Sequence, residues 1–414
     1  MLALHTSPLD RPGTGDAGGM NVYLQAITGA LSRLGVTVEI YTRVTSPGQA
    51  NRGPIQLAPG VKVHRVTAGP PTPLAKEAIK PSVVLEFAQG VAASAPSHLV
   101  HSHYWLSGLA GQQVARAWGT RHVQTLHTVA ALKNRNLALG DKPEGPERLT
   151  AEAKLAQGAA RVVAVSPAEA AAIVHDLRVP PERVRVVTPG VDNTVFCPGP
   201  AGHLVGLPPA MKRPQGYALM AGRIQPIKGQ DLAIRAIAAM SPQVRPALLI
   251  SGAPSAANLG YASSLRRLAV ELGVDDDVIF LSAVTTERLA GLMRGALVTL
   301  MPSHSETYGL VALESAACGT PVVAYDGTGL RFSVADQVSG LLVSSRDPAQ
   351  WAEAITKVAT DPALRAALSR GGIDLGRRSA WERAGAELWQ AYQEVLSTTP
   401  VLPRTDHLTT APPW

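Results

Sequence analysis

The stretch Tyr217-Ala-Leu-Met-Ala-Gly-Arg-Ile-Gln-Pro-Ile-Lys-Gly229 decides the fold class. It opens with five apolar residues, continues through a loop that holds Arg223 and Lys228, and leads into a helical pattern at Asp231–Met240. Its apolar residues run without an alternating polar face, which is typical of a strand buried on both sides in a parallel sheet. A buried strand, a glycine-containing loop and an amphipathic helix together predict one βα unit.

The same succession recurs along the chain on both sides of this stretch. Because short apolar runs alternate with helical patterns throughout, we predict an α/β protein with doubly wound parallel sheets. The predicted strands before the stretch are Leu2–His5, Val36–Tyr41, Leu99–His103, Val123–Leu126, Val162–Val165 and Val184–Val187. The predicted strands after it are Ala247–Ser251, Val278–Leu281, Leu297–Met301 and Pro321–Tyr325.

The pattern is interrupted once, by a segment rich in proline and glycine that predicts a linker. We therefore expect a Rossmann-like domain at 1–197, a linker at 198–214 and a second Rossmann-like domain at 215–380. A C-terminal helix at 381–396 is expected to pack back on the first domain, and the tail 397–414 is expected to be frayed. Two such domains imply a cleft between them, lined by the carboxyl ends of strands.

Composition narrows the class of protein further. The 414 residues carry a net charge of +7 without a run of Lys or Arg, which favours anionic small molecules over nucleic acid. Only two cysteines are present, Cys197 and Cys318, so a disulfide framework is excluded and a reducing cytoplasm is expected. We find no apolar run long enough for a transmembrane segment, and the first residues do not resemble a signal peptide.

A glycine-rich loop follows the first predicted strand. Residues Gly13-Thr-Gly15-Asp-Ala-Gly18 match G-x-G-x-x-G, and Glu39 lies about 20 residues further on, as in a dinucleotide site. The loop from His5 to Gly18 is longer than a true dinucleotide turn, so an NAD-dependent oxidoreductase is the alternative we favour less. Backbone N–H groups at the start of the following helix predict an anion site, against the alternative of a glycine-rich surface loop.

Two segments of the second half carry charges suited to a nucleotide sugar. Arg223 and Lys228 come five residues apart ahead of a helix, where they suit a diphosphate, although a solvated loop is equally compatible. Glu306 and Glu314 lie eight residues apart, which would separate them by roughly 12 Å on a helix. That exceeds the spacing of glycosidase carboxyl pairs, so the two carboxylates would hold two ends of one ligand, or simply belong to a capped, solvated helix.

Taken together, these segments resemble the retaining GT-B glycosyltransferases that use nucleotide sugars. The resemblance rests on the order Gly-Gly, then Gly-Arg-x4-Lys, then Glu-x7-Glu, and covers nearly the whole chain. The segments His5-Thr-Ser-Pro8, Gly15–Tyr23, His101–Gly108 and Gly222–Pro226 are similar to the branch that glycosylates inositol phosphate in mycothiol biosynthesis. That resemblance implies a GT-B fold and transfer of N-acetylglucosamine from UDP-N-acetylglucosamine to 1D-myo-inositol 3-phosphate.

The resemblance also implies roles for individual residues. On the donor side, Gly19, Arg223 and Lys228 would hold the diphosphate, Glu314 the ribose and Glu306 the sugar, with Arg223, Lys228 and Glu306 counted as catalytic. On the acceptor side, the phosphate would contact Lys76, Tyr104, Thr128 and Arg148, and the inositol ring would contact Asp16 and Asn21, with His5 nearby. No cofactor is required for the chemistry; a structural magnesium ion near Thr320 and a homodimer are implied.

The sequence departs from the family pattern at Gly327–Ser333, where we expect Arg331 to add a cation on the donor side. Because no residue stands out as a covalent nucleophile, retention by front-face attack is expected. The alternatives are a transferase of the same fold with another acceptor, such as a hexose phosphate, malate or phosphatidylinositol, and a non-catalytic nucleotide-sugar binder.

Overall fold

The structure, a computed structural model, describes residues 1–13, 17–50, 52–201, 214–255 and 258–397. Most of the predicted linker, at 202–213, and the tail from 398 onward lie outside these ranges, as does Asp16. The described residues form two α/β lobes, each with its own sheet. No helix among them is long and apolar enough to cross a membrane.

The first lobe contains an eight-stranded sheet with the order β3-β4-β2-β1-β5-β6-β7-β8. All neighbouring strands are parallel except β3 and β4, which pair antiparallel at one edge. The strands are β1 (Leu2–Ala3), β2 (Val38–Arg43), β3 (Ile55–Ala58), β4 (Val61–Val66), β5 (Leu99–His103), β6 (Arg121–Thr125), β7 (Arg161–Ala164) and β8 (Val184–Val186).

The helices of the first lobe connect these strands. They are α1 (Gly19–Arg33), α2 (Pro81–Ala92), α3 (Trp105–Trp118), α4 (Ala130–Asn134), α5 (Pro146–Gly158) and α6 (Pro167–His175). Several begin in the way their sequences predict: α2, α5 and α6 have proline in the first turn, and the Ser166 hydroxyl accepts the N–H of Glu169 to cap α6.

The second lobe contains a six-stranded, fully parallel sheet with the order β11-β10-β9-β12-β13-β14. Its strands are β9 (Tyr217–Ala221), β10 (Ala247–Ser251), β11 (Val278–Leu281), β12 (Val298–Met301), β13 (Val322–Tyr325) and β14 (Gly340–Val343). Its helices are α7 (Gln230–Ala239), α8 (Leu259–Glu271), α9 (Thr286–Gly295), α10 (Leu310–Ala317), α11 (Leu330–Ser333), α12 (Pro348–Thr360) and α13 (Pro362–Arg378).

The strand order of both sheets positions the cleft. In the first sheet the chain runs outward from β1 to β4 and then returns to β5; in the second it runs from β9 to β11 and returns to β12. The loops after β1 and β5, and those after β9 and β12, therefore diverge and leave a crevice at the carboxyl ends of the strands. These loops hold His5, Tyr104, Arg223, Lys228 and Glu306 among the predicted site residues.

The last helix, α14 (Trp381–Ser397), returns to the first lobe. It packs on α1 so closely that a Cβ placed on Gly385 would lie 2.6 Å from the Cβ of Ala30. The hydroxyl of Tyr392 on α14 lies 2.5 Å from Nδ1 of His101 on β5. This helix therefore connects the end of the second lobe to the core of the first.

Candidate functional site

A cavity of about 1250 Å³ lies between the two lobes. It is larger than the 300–1,000 Å³ that is usual for one small ligand, and so has room for two substrates. Ten of the predicted site residues line it: His5, Gly19, Lys76, Tyr104, Thr128, Arg148, Arg223, Lys228, Glu306 and Glu314. Glu39, the acidic residue of the dinucleotide interpretation, does not line it.

The glycine turn begins α1 at the floor of this cavity. Gly18 and Gly19 line the cavity, and α1 presents its N-terminus there, where unpaired N–H groups and the helix dipole favour an anion. Asn21, which we expected against the inositol ring, is fully buried and lies behind the turn. Its amide donates to the Thr6 hydroxyl and the Ser7 carbonyl, and its Oδ1 accepts the N–H of Gly18, so it holds the turn in place.

The basic loop after β9 faces the glycine turn across the cavity. A Cβ placed on Gly18 would lie 3.6 Å from Nε of Arg223, so the two lobes bring these groups within reach of one ligand. The backbone carbonyl of Arg223 accepts a hydrogen bond from Gln230 at 3.0 Å. Gly229 ends the loop with φ 74°, a left-handed conformation that glycine adopts without strain.

Lys228 and Glu306 form an ion pair inside the cavity. Nζ of Lys228 lies 2.5 Å from Oε1 of Glu306, and the Ser303 hydroxyl donates to the same oxygen at 2.9 Å. The N–H of His304 donates to the carbonyl of Ile227, which ties the two loops together. An ammonium group and a carboxylate are thus positioned side by side in the cavity.

Glu306 does not lie on the helix that its spacing from Glu314 assumed. It belongs to the loop before α10, and the helix begins after Gly309, which has φ 98°. The Glu306 backbone is held from both sides: its N–H donates to the Thr328 hydroxyl, and its carbonyl accepts the N–H of Gly329. The separation of roughly 12 Å calculated for one continuous helix therefore does not describe this pair.

Glu314 lies in the middle of α10 with 8% of its surface exposed. Burial raises the pKa of its carboxyl from the ordinary 4.5 to about 7. A carboxyl group with that pKa is half protonated near neutrality and becomes a better acceptor when a ligand supplies hydroxyl donors.

A hydrogen bond joins the two lobes next to Glu306. The Thr307 hydroxyl donates to the backbone carbonyl of His127 at 2.6 Å. His127 has φ 60°, a left-handed conformation that is uncommon outside glycine, and its ring lies 2.9 Å from His103 on β5. No local motif predicts this contact, because its partners are 180 residues apart.

Arg148 is the centre of an ionic network on the first-lobe side. Its guanidinium lies 2.7 Å from Glu152 and 2.8 Å from Glu144, and donates to the carbonyl of Thr128 at 3.1 Å. Lys133 lies 2.5 Å from the same oxygen of Glu144. Lys133 and Glu144 line the cavity although no sequence motif singled them out. The spacing of Arg148 and Glu152 predicts their contact, since residues four apart on a helix meet, whereas Glu144 precedes α5 and gives no such signal.

Aromatic and imidazole rings complete this side of the cavity. The Arg148 guanidinium lies 4.9 Å from the centre of the Tyr104 ring, and that ring is 4.5 Å from the ring of His5. Burial, assisted by the charge of Lys76, lowers the pKa of His5 to about 3, so this imidazole is neutral. Nδ1 of His5 is buried and has no hydrogen-bond partner among the described residues.

The surroundings of Thr320 do not fit the implied magnesium ion. The Thr320 hydroxyl donates to the carbonyl of Met293, and the small pocket beside it is lined by Arg294 and Arg365. Two cations and a donating hydroxyl are unsuited to Mg²⁺, which prefers oxygen ligands. Within the described ranges, no three His, Cys, Asp or Glu side chains come together as a metal site.

Arg331 does not supply the additional donor-side cation that we expected. Its guanidinium lies 2.8 Å from Asp326, half of its side chain is exposed, and it does not line the cavity. The loop instead contributes Thr328, whose hydroxyl contacts the Glu306 backbone. In the segment that departs from the family pattern, Thr328 therefore helps to position Glu306, and Arg331 adds no charge to the cavity.

The chain is similar in sequence to known glycosyltransferases over nearly its whole length. A model described as family 4 glycosyltransferase in conflict systems matches residues 13–388. The chain is 43% identical to D-inositol 3-phosphate glycosyltransferase of Saccharomonospora viridis, over 96% of this chain and 94% of the relative. It is 42% identical to the protein of the same name from Thermobispora bispora, over 95% and 94%.

Solved structures show the same architecture. Sucrose-phosphate synthase from Thermosynechococcus elongatus matches with a TM-score of 0.87 and 28% identity, covering 96% of this chain and 98% of that one. Anabaena HepE in complex with UDP and glucose matches with a TM-score of 0.74 and 19% identity, covering 95% and 99%. The predicted GT-B fold is confirmed by these neighbours and by the two parallel sheets.

Proposed function

The chain belongs to the family 4 glycosyltransferases, and on that premise we propose that it transfers a sugar from a UDP-sugar to inositol 3-phosphate with retention at the anomeric carbon. The relatives at 42–43% identity are named for that acceptor. We further propose N-acetylglucosamine as the sugar.

The observation that carries this proposal is the pair of opposed anion-binding surfaces in one cavity. Arg223 lies against the glycine turn that begins α1, Lys228 lines the cavity from the second lobe beside Glu306, and Arg148 and Lys76 line it from the first lobe. A sugar acceptor without a phosphate needs no second cationic surface. A cavity with two such surfaces suits a nucleoside diphosphate and a phosphorylated acceptor bound at the same time.

On the donor side, we assign the pyrophosphate to the amide of Gly19 and to Arg223 and Lys228. Arginine offers a fork of N–H donors, and lysine a point charge. Glu306 is assigned to the hydroxyls of the transferred sugar, and Glu314 to the ribose. The raised pKa of Glu314 fits this role, because a buried carboxyl that receives two ribose O–H donors returns to its ionised form.

On the acceptor side, we assign the phosphate to Arg148, Lys76, Tyr104 and Thr128, with His5 facing the ring. Burial raises the pKa of Tyr104 to about 12, so its hydroxyl is a neutral donor throughout the physiological range. His5 is neutral for the same reason of burial, and its unpartnered Nδ1 can hydrogen-bond to an acceptor hydroxyl.

The chemistry follows from positioning and charge. The acceptor hydroxyl attacks the anomeric carbon on the face from which UDP departs, and its proton passes to the departing phosphate oxygen. Arg223 and Lys228 stabilise the negative charge that grows on that oxygen, and this is the kind of contribution worth about 10²–10³ in rate. Closure of the lobes keeps water away from the donor.

The experiment is UDP release measured across a panel of nucleotide sugars, each with and without inositol 3-phosphate. We expect release to depend on both UDP-N-acetylglucosamine and the phosphorylated inositol. Release with glucose 6-phosphate, fructose 6-phosphate or malate in its place would contradict the acceptor assignment, and thermal stabilisation by NAD with none by UDP would contradict the donor assignment.

A further inference from the structure

We propose that Glu144 is an internal counter-ion of the acceptor-phosphate subsite when no acceptor is bound. An acceptor can then enter only if it carries a phosphate that displaces the Glu144 carboxylate. This inference rests on the proposed function, because it concerns how that same subsite selects its ligand.

The position of the Glu144 carboxylate is the first argument. Its Oε1 lies 2.8 Å from Nη1 of Arg148 and 2.5 Å from Nζ of Lys133, so one oxygen bridges both cations. All three side chains line the cavity, and the guanidinium lies against the ring of Tyr104. The bridging oxygen is thus where an oxygen of a bound phosphate would be placed by the same two cations.

The charge balance of the cluster is the second argument. Arg148 and Lys133 carry two positive charges, and Glu144 and the fully buried Glu152 carry two negative ones, so the empty cluster is neutral. A phosphate dianion gains little by approaching a neutral cluster. When the Glu144 side chain leaves, the cluster becomes positive, and Lys76, which lines the same cavity, adds a further charge.

The two carboxylates of the cluster differ in how firmly they are held. Glu152 is inaccessible to solvent; one of its oxygens contacts Nε of Arg148 and the other accepts the N–H of Ala130. The Glu144 side chain is 19% exposed, and its carboxylate pairs with the two cations. Glu152 is therefore a permanent partner of Arg148, whereas Glu144 can be replaced.

The backbone of Glu144 stays fixed while its side chain can turn. Its N–H donates to Oδ1 of Asn134 at 2.8 Å, and its carbonyl accepts Nδ2 of the same residue at 3.1 Å. Displacement therefore requires rotation about side-chain bonds and no refolding of the loop. A neutral inositol has no anionic group to replace the Glu144 carboxylate, so the ion pairs of Glu144 with Arg148 and Lys133 stay intact.

The test compares wild-type enzyme with Glu144→Gln, which keeps the size and hydrogen-bonding capacity of the side chain but removes its charge. Glu147→Gln is the matched control, because Glu147 is an exposed carboxylate in the first turn of α5. Inorganic phosphate serves as a probe by calorimetric titration of the UDP-loaded enzyme, and inositol 3-phosphate and myo-inositol are compared as acceptors.

We expect Glu144→Gln to bind inorganic phosphate about five- to tenfold more tightly, since a like charge has been removed from the subsite. The KM for inositol 3-phosphate should fall by a similar factor with little change in kcat, and Glu147→Gln should match wild type. Glu144→Asp, which keeps the charge on a shorter side chain, should fall between the two. Circular dichroism and thermal unfolding verify that each variant is folded.

Unchanged or weaker phosphate binding by folded Glu144→Gln would overturn the inference, because Glu144 would then only hold the cations in place. Failure of the proposed function is a different result: wild-type enzyme would show no UDP release with any phosphorylated inositol. The phosphate titration of the variant against wild type still decides the role of Glu144 in that case.

Discussion

Glu314 allows the electrostatics of the donor side to be tested through protein stability. Its carboxyl is buried in α10, and burial raises its pKa from 4.5 to about 7. Between these two pH values the folded protein keeps a proton that the unfolded chain has released. The Glu314 contribution to stability is therefore fully present below about pH 4.5 and is lost as the pH rises through 7.

The size of the effect follows from the difference between the two pKa values. One pKa unit corresponds to about 1.4 kcal/mol, so a rise from 4.5 to about 7 corresponds to roughly 3 kcal/mol. Glu314→Gln replaces the carboxyl with a neutral amide of the same shape and removes this dependence. The difference in unfolding free energy between variant and wild type should therefore shift in favour of the variant by roughly 3 kcal/mol from pH 4.5 to pH 8.

The assay is urea denaturation at pH 5, 6, 7 and 8 for wild type, Glu314→Gln and Glu271→Gln. Glu271 is an exposed carboxylate at the end of α8, and its variant should follow wild type at every pH. UDP affinity should fall in Glu314→Gln, and in wild type it should rise with pH through 7 because the ribose hydroxyls need the ionised carboxylate. A stability difference between Glu314→Gln and wild type that stays constant from pH 5 to pH 8 would show that burial does not raise the pKa of Glu314.

Three further substitutions test other parts of the site. Lys228→Ala should lower kcat about 10²–10³-fold, or by about 2.7–4 kcal/mol, in a folded protein; turnover close to wild type would remove Lys228 from leaving-group stabilisation. Arg148→Lys keeps the charge next to buried Glu152 but loses the planar fork of N–H donors. The KM for inositol 3-phosphate should therefore rise about 10- to 100-fold, while the UDP affinity measured by calorimetry is unchanged. Equal losses for both ligands would contradict the assignment of Arg148 to the acceptor phosphate. Gly229→Ala forces a Cβ into a left-handed position against the carbonyl of Pro302, and should cost at least about 1–3 kcal/mol in urea denaturation; a stability equal to wild type would show that the loop relaxes freely.

The sequence predicted best those elements whose environment is uniform. Tyr217–Ala221 and Ala247–Ser251 are interior strands of the fully parallel second sheet, and their apolar runs match β9 and β10 at both ends. Val278–Leu281 matches β11 at both ends as well, because this edge strand is also an unbroken apolar run. The first strand was predicted to be longer than it is, since Leu4 and His5 continue the apolar run but no longer pair in the sheet.

Strands that contain polar residues were harder to predict. The edge strand β3 and its antiparallel neighbour β4 carry Gln56, Lys62 and His64 on a half-solvated surface, so they lack the unbroken apolar runs that revealed the other strands. Short helices such as α4, five residues long, are too brief to show a helical period.

The candidate site was predictable wherever a local motif carried it. Arg223, Lys228, Glu306 and Glu314 belong to two short segments, and the fold brings both segments to one cavity. Asn21 was assigned to the ligand because the sequence cannot distinguish an amide that faces the cavity from one that supports the turn behind it. Contacts between lobes, such as Thr307 with His127, depend on the relative placement of two sheets and leave no trace in local sequence.

In the proposed function, one cavity binds a pyrophosphate and a second phosphate at separate subsites. A crystal structure of the enzyme with UDP and inositol 3-phosphate is the decisive experiment. We expect the pyrophosphate between the amide of Gly19 and the side chains of Arg223 and Lys228, and the acceptor phosphate against Arg148 with the Glu144 carboxylate turned away. Electron density for either phosphate outside this cavity would contradict it.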